Sequence, residues 1–191
     1  MGLIETKVRM PNQDKILNKF MPHWKFVTNY EPQSVDRIWV GWNPEKVSLS
    51  TNLSKQQIIH AFISSIDHSI SFEASFIYGS NCIYERRILW SYMRMIAAAS
   101  YSNPWICVGD FNAVLQPQEI FGGIRGRDRG ADEFTNAIYS TFLVDLRFIG
   151  IYFTWSNKRS NQEQFIMKKL DMVLINQAWL DRKSTRLNSS H

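Results

Sequence analysis

Four short stretches of this sequence set chemically capable side chains within or at the ends of apolar runs. Gly109-Asp110-Phe111-Asn112 follows Trp105-Ile106-Cys107-Val108. A run of that kind reads as a buried strand, and its C-terminal end places Asp110 at the lip of a cleft on a rigid base. In extended backbone Asp110 and Asn112 share one side while Phe111 turns toward the core. Such a pair can hold a water and a phosphate oxygen together; the competing reading is an Asx-turn that closes the strand. Glu5 lies in Leu3-Ile4-Glu5-Thr6-Lys7. A carboxylate there must be paired, bind a cation, or face solvent on an edge strand. Tyr78-Gly79-Ser80-Asn81 brings a phenol and an amide to a strand end, or is simply a turn helped by Gly79. Asp171 puts one carboxylate into Leu170-Asp171-Met172-Val173-Leu174-Ile175-Asn176, as a site residue or as a partner of Lys168 or Lys169.

Two basic stretches could meet an anion. Arg125, Arg127 and Arg129 alternate with small or polar residues up to Gly130. That spacing can lay guanidinium groups and backbone amides along a nucleic-acid backbone, or it is a solvated loop ahead of a helix. Lys158 and Arg159, in Ser156-Asn157-Lys158-Arg159-Ser160-Asn161, read as a hairpin loop beside the same cleft.

The elements that must position these groups are legible as pattern. Leu3–Val8, Trp24–Tyr30, Arg37–Trp42, Lys46–Thr51, Gln57–Ile63 and Phe72–Tyr78 are rich in β-branched and aromatic residues, and polar or Pro-containing stretches separate them. Pro11 marks the end of the first, and Asp14–Phe20 reads as a short helix. Ile88, Leu89, Tyr92, Met93 and Ile96 recur at helical spacing between Tyr84 and Ala99. A second helix is expected from Ala131 to Phe142, with Phe134, Ile138, Tyr139 and Phe142 on its core face. Trp105–Gly109, Ile151–Trp155 and Phe165–Ile175 are further strands. Helices set among many strands predict an α/β domain, with two sheets face to face and helices outside.

Each chemical signal alone is weak, but their order is specific. A Glu early, Tyr-x-x-Asn at a strand end, Gly-Asp-Phe-Asn after an apolar strand and Leu-Asp late resemble the signature of the endonuclease/exonuclease/phosphatase superfamily over residues 2–180. Pro104-Trp105, Gly122-Gly123, Glu85-Arg86-Arg87 with Leu89-Trp90, Phe153-Thr154-Trp155-Ser156-Asn157 and Leu174-Ile175-Asn176 with Trp179 resemble the endonucleases of plant LINE-type retrotransposons. The resemblance implies a four-layer α/β sandwich, incomplete at both ends, and a divalent cation, Mg²⁺ or Mn²⁺. It implies that Glu5 ligates the metal and Asp110 activates or orients the attacking water. Asn112 would hold the phosphate or Asp110, Tyr78 and Asn81 would contact the scissile phosphate, and Asp171 would orient a histidine. DNA is the implied partner and a downstream reverse transcriptase domain the implied neighbour, in a monomer of nuclear or cytoplasmic location. For the chain as written, without the family's early Asn strand and late Asp-His pair, the resemblance implies no measurable nicking. The competing functions are a non-catalytic remnant that binds nucleic acid weakly, an abasic-site endonuclease and an inositol-phosphate phosphatase.

Composition agrees with one folded domain. At 191 residues, 45% hydrophobic and 14% aromatic, the chain can bury a sizeable core and is no disordered tail. A net charge of +5 leans toward an anionic partner. Cys82 and Cys107 form no CxxC pair, which argues against a zinc site or disulfide framework. Cys107, inside an apolar run, reads as a small core residue. No apolar stretch approaches a membrane span. Residues 181–191 lack apolar periodicity and all eleven match an in-frame translation of a common sequencing adapter. They are therefore expected to be a polar tail outside the domain, packed against nothing.

Overall fold

The computed structural model describes residues 1–30, 37–123, 129–146 and 149–188. β1 (Gly2–Ile4), α1 (Met10–Phe20), β2 (Lys25–Thr28) and β3 (Ile38–Trp42) form the first unit. β1 and β2 both pair antiparallel with β3, in the order β1-β3-β2. They therefore run the same way, and α1 supplies the long connection that this requires. β1 is shorter than Leu3–Val8 because Glu5 and Lys7 adopt left-handed φ values of 56° and 53°. Pro11 does more than end the strand. It sits in the first turn of α1, where its missing N–H has no intrahelical partner to lose.

β4 (Val47–Lys55), β5 (Ile58–Ser65) and β6 (Ser71–Tyr78) make an antiparallel meander. α2 (Ile83–Ala99) then crosses back to β7 (Trp105–Asp110), which lies parallel to β6. β8 (Ile120–Gly122), α3 (Arg129–Thr141), β9 (Val144–Asp145), β10 (Trp155–Ser156), β11 (Ile166–Lys168), β12 (Asp171–Ile175) and α4 (Gln177–Asn188) complete the described chain. The large sheet runs β4-β5-β6-β7-β12-β9, and a small one runs β10-β11-β8. The expected strand 165–175 is thus two, divided at Lys169-Leu170. Of the expected strand 151–155 only Trp155 is paired, and Ile151 is largely exposed.

The result is an α/β sandwich of packed sheets with helices outside. Leu89, Trp90, Met93 and Ile96 of α2 and Phe134 and Ala137 of α3 bury one face of the large sheet with Cys107, Phe111, Met172 and Leu174. Trp90 stacks on Phe134, and Phe134 on Phe111, at ring separations of 4.7 and 5.2 Å. On the other face Ile38 and Val40 meet Ile59 and Tyr78, with Ile4, Val27 and Phe76 around them. Two helix faces differ from expectation. Ile88 is 54% exposed, and Tyr139 and Phe142 are 81% and 75% exposed. The small Ala137 and the buried Thr141, whose hydroxyl returns to Ala137 and Ile138 carbonyls, let α3 sit closer to the sheet than a larger side chain would. Residues 181–188 continue α4, and the Arg182 guanidinium donates to the carbonyls of Ser71 and Ser69. The expectation of a tail packed against nothing is corrected there. Among the described residues no helix is long and apolar enough to cross a membrane.

Candidate active site

Strand register brings the sequence candidates together. Tyr78 is opposite Asp110 across the parallel β6–β7 pair, and Asp171 is opposite Asp110 across the antiparallel β7–β12 pair. With strands about 4.8 Å apart, the three residues form one row across the end of the sheet. Two glycines allow that close approach. A Cβ on Gly79 would fall 2.4 Å from the Phe111 carbonyl oxygen. Gly109 has φ 141°, and a Cβ there would fall 2.0 Å from the Ile77 carbonyl oxygen. Behind the row, buried Gln57 holds the turn after Tyr78: its Oε1 accepts from the Ser80 N–H at 2.7 Å and its Nε2 donates to the Glu85 carbonyl at 3.0 Å. Thr154 Oγ1 accepts the Leu170 and Asp171 N–H groups, both at 3.1 Å, and so fixes the start of β12.

Asn112 does not continue the extended backbone expected of it. It has φ 48°, its N–H donates to Asp110 Oδ1 at 2.7 Å, and its Nδ2 donates to the Gly79 carbonyl at 2.7 Å. The Asx-type turn weighed as the bland alternative is present, and it is also what orients Asp110. Burial lifts the Asp110 carboxyl from 3.8 to about 6, and the charges of Asp171 and Glu5 push the same way. The Asn112 N–H and the Arg86 guanidinium oppose the rise. A carboxylate poised there can hold a water and take its proton near neutral pH.

Glu5 lies one residue past β1 and is half exposed rather than buried in a strand. Its carboxylate pairs with Lys7 at 2.8 Å. That contact, with help from the Tyr78 hydroxyl and Arg37, holds its pKa below the usual range. Tyr78 shifts upward, first through burial and then through Glu5 and Asp110. Asp110 thus senses the charges of Asp171 and Glu5, and Tyr78 those of Glu5 and Asp110. Asn81 follows at the rim, where its carbonyl accepts from Arg86 Nη1 at 3.2 Å. Lys169 pairs with Glu119 and Asp145. Lys158 and Arg159 sit in the exposed loop between β10 and β11, with Arg159 Nη1 donating to Gln164 Oε1 at 3.0 Å. Arg125 and Arg127 lie outside the described residues, as does the side chain of Arg129, whose backbone opens α3.

Solved structures share this architecture. The chain superposes on the endonuclease domain of TRAS1, a telomere-specific non-LTR retrotransposon, with a TM-score of 0.61 at 14% identity, covering 83% of this chain and 69% of that one. D. rerio TDP2, complexed with a single-strand DNA product, gives 0.57 at 13% identity, over 88% of this chain and 68% of that one. An endonuclease/exonuclease/phosphatase family protein from Bacteroides thetaiotaomicron gives 0.54 at 11% identity, over 87% and 65%. The fold is one shared with endonuclease/exonuclease/phosphatase proteins. No protein-family model matches the sequence, and no curated protein matches it significantly.

The donor set is all oxygen: carboxylates of Glu5, Asp110 and Asp171, with the Asn112 amide beside them. Such donors suit a hard divalent cation that keeps several waters, and not a thiolate- or imidazole-bound metal. Among the described residues no three His, Cys, Asp or Glu are already arranged as a metal cage. His60 lies within the middle of the sheet, bonded to Ser75 and paired with Glu73, and so outside this row. Three contributors escaped the sequence reading. Gln57 and Thr154 act through distant backbone, which no local pattern reveals. Arg37, 5.4 Å from the Tyr78 ring centre, comes from another sheet.

Proposed function

We propose that the Tyr78–Asp110–Asp171 row, with Glu5 and Asn112, is the active site of a DNA-nicking endonuclease domain of the LINE retrotransposon type, dependent on Mg²⁺ or Mn²⁺. The observation that carries this reading is the strand register, which sets Tyr78, Asp110 and Asp171 of three separate strands in one row. The oxygen donors fit the cation, which Glu5 would hold with Asp110 or Asp171 nearby; once bound, it would neutralise charge growing on the phosphate.

The chain's own residues account for the remaining work. Asp110, fixed by the Asn112 N–H, orients a water and accepts its proton as the water oxygen attacks phosphorus. The Tyr78 hydroxyl, the Asn112 amide and the rim residue Asn81 donate to phosphate oxygens whose charge rises in the transition state. The bond from phosphorus to the 3′ oxygen breaks, the phosphate stays on the 5′ side, and the departing 3′ oxyanion takes a proton from solvent to become the 3′ hydroxyl that a downstream reverse transcriptase domain would extend. Lys158 and Arg159, with Arg125, Arg127 and Arg129, would contact the flanking DNA backbone. The domain would act as a monomer in the nucleus or cytoplasm.

A second reading, nucleic-acid binding with little or no turnover, draws support from two observations. Glu5 is occupied by Lys7 at 2.8 Å, and no three-ligand cage is preformed among the described residues. Supercoiled plasmid incubated with the chain in Mg²⁺ or Mn²⁺ separates the two. Nicking that EDTA stops and Asp110→Asn abolishes supports hydrolysis. DNA binding without nicking at any cation concentration supports the second reading. The plasmid left both intact and unbound would remove both.

A further inference from the structure

A phosphodiester entering this cleft meets three carboxylates and a phenol, so it needs a cation within reach. The nearby cations differ in how they are engaged. Lys7 is paired with Glu5 at 2.8 Å, and Lys169 with Glu119 and Asp145. Arg86 is buried and its Nη1 donates to the Ser80 and Asn81 carbonyls at 2.7 and 3.2 Å. Arg37 is different. It is half-buried at the entry to β3, with its guanidinium carbon 5.4 Å from the centre of the Tyr78 ring. Among the described residues no hydrogen bond or ion pair engages that guanidinium. Stacking on an aromatic face uses the face of the guanidinium and leaves its N–H edges available to an oxyanion.

The backbone that aims Arg37 is itself held. Asn29, only 6% exposed, accepts the Arg37 and Ile38 N–H groups on Oδ1 at 3.3 and 2.9 Å. Its Nδ2 donates to the Lys55 and Gln56 carbonyls at 3.2 and 2.7 Å. Asn29 thereby ties the start of β3 to the turn between β4 and β5. We propose that Arg37 is the anion-binding residue of the cleft, taking a non-bridging oxygen of the DNA phosphodiester while it rests on the Tyr78 ring, with Asn29 as its positioning residue. The inference rests on the reading of the cleft as a phosphodiester site. It adds the residue that recognises the substrate's charge and couples it to the Tyr78 phenol.

The test measures the binding of a short fluorescein-labelled DNA duplex by anisotropy in EDTA, across a range of KCl concentrations. The full chain is compared with Arg37→Ala, Arg37→Lys and Asn29→Ala. Losing one phosphate contact should lower the slope of log affinity against log salt by about one in Arg37→Ala, with affinity falling roughly tenfold. Arg37→Lys should keep the slope and weaken binding less. Asn29→Ala should weaken binding as well. A folded Arg37→Ala protein with unchanged affinity and slope would overturn the proposal. Should Arg37→Ala melt early, Arg37→Lys and Arg37→Gln are compared instead, and equal salt slopes for those two would overturn it. Plasmid nicking by the same proteins separates this inference from the one beneath it. Arg37-dependent binding without any nicking by the full chain leaves Arg37 in place and removes hydrolysis. Nicking with an unchanged kcat/KM in Arg37→Ala leaves hydrolysis in place and removes Arg37.

Discussion

Asp110→Asn should make the protein more stable at neutral pH, and the reason lies in where Asp110 sits. Burial, then the Asp171 and Glu5 charges, lift its carboxyl from 3.8 to about 6. Between those two values the folded state holds a proton that the unfolded state has released. Stability conferred by the site is therefore present below the unfolded value and lost as pH rises through the folded one. A displacement of about two pH units corresponds to at most about 3 kcal/mol at 1.36 kcal/mol each. Asp110 is half-buried, so solvent screening brings the expected penalty to about 1–2 kcal/mol above pH 7. Asparagine keeps the Oδ1 acceptor for the Asn112 N–H and removes the charge. Urea unfolding followed by tryptophan fluorescence, without divalent cations, should show Asp110→Asn more stable by about that amount near pH 8, with the difference shrinking to about 0.5 kcal/mol or less near pH 4. Mg²⁺ should stabilise the parent and not the variant. A variant less stable near pH 8, or a difference that does not change with pH, would refute the reasoning.

Four other outcomes follow from named contacts. Gly79→Ala should cost about 1–3 kcal/mol in urea unfolding, because its Cβ would meet the Phe111 carbonyl at 2.4 Å. Lys169→Met should cost about 3–5 kcal/mol by leaving Glu119 buried without its cation, whereas Arg87→Ala, at an exposed pair with Glu133, should leave the midpoint unchanged. Tyr78→Phe should leave stability nearly intact and move the Glu5 carboxyl upward by removing the phenol's hydrogen bond, which carboxyl-detected NMR titration would read. In iodoacetamide labelling, exposed Cys82 should react in the native protein, while Cys107, fully buried with its thiol pushed up, should react only on unfolding.

The chemistry-bearing residues were legible because they interrupt apolar runs, where a polar side chain needs a reason. Gly109-Asp110 after Trp105–Val108 is the clearest case. What no local pattern shows is register. That Asp171, Asp110 and Tyr78 form one row depends on which distant strands pair and at which offset. In the sequence Arg37 reads only as the start of a strand for the same cause: its partner ring lies in another sheet. Helical periodicity located both large helices but misplaced part of their faces. Tyr139 and Phe142 fit a hydrophobic stripe, yet close packing at Ala137 and Thr141 turned them outward. Glu5 was expected inside a strand, and the left-handed turn at Glu5 and Lys7 moved it to the strand's end, within reach of Lys7 and Tyr78. The Asn112 turn shows that a structural and a functional reading need not exclude each other.

The central claim is that these side chains form one cation- and phosphate-binding site. Paramagnetic line broadening by Mn²⁺ in amide NMR spectra tests this without requiring turnover. The expected result is selective broadening of residues near Glu5, Tyr78, Asp110 and Asp171, lost in Asp110→Asn and in Glu5→Gln. Broadening centred elsewhere, or unchanged by either substitution, would contradict the assignment of the site.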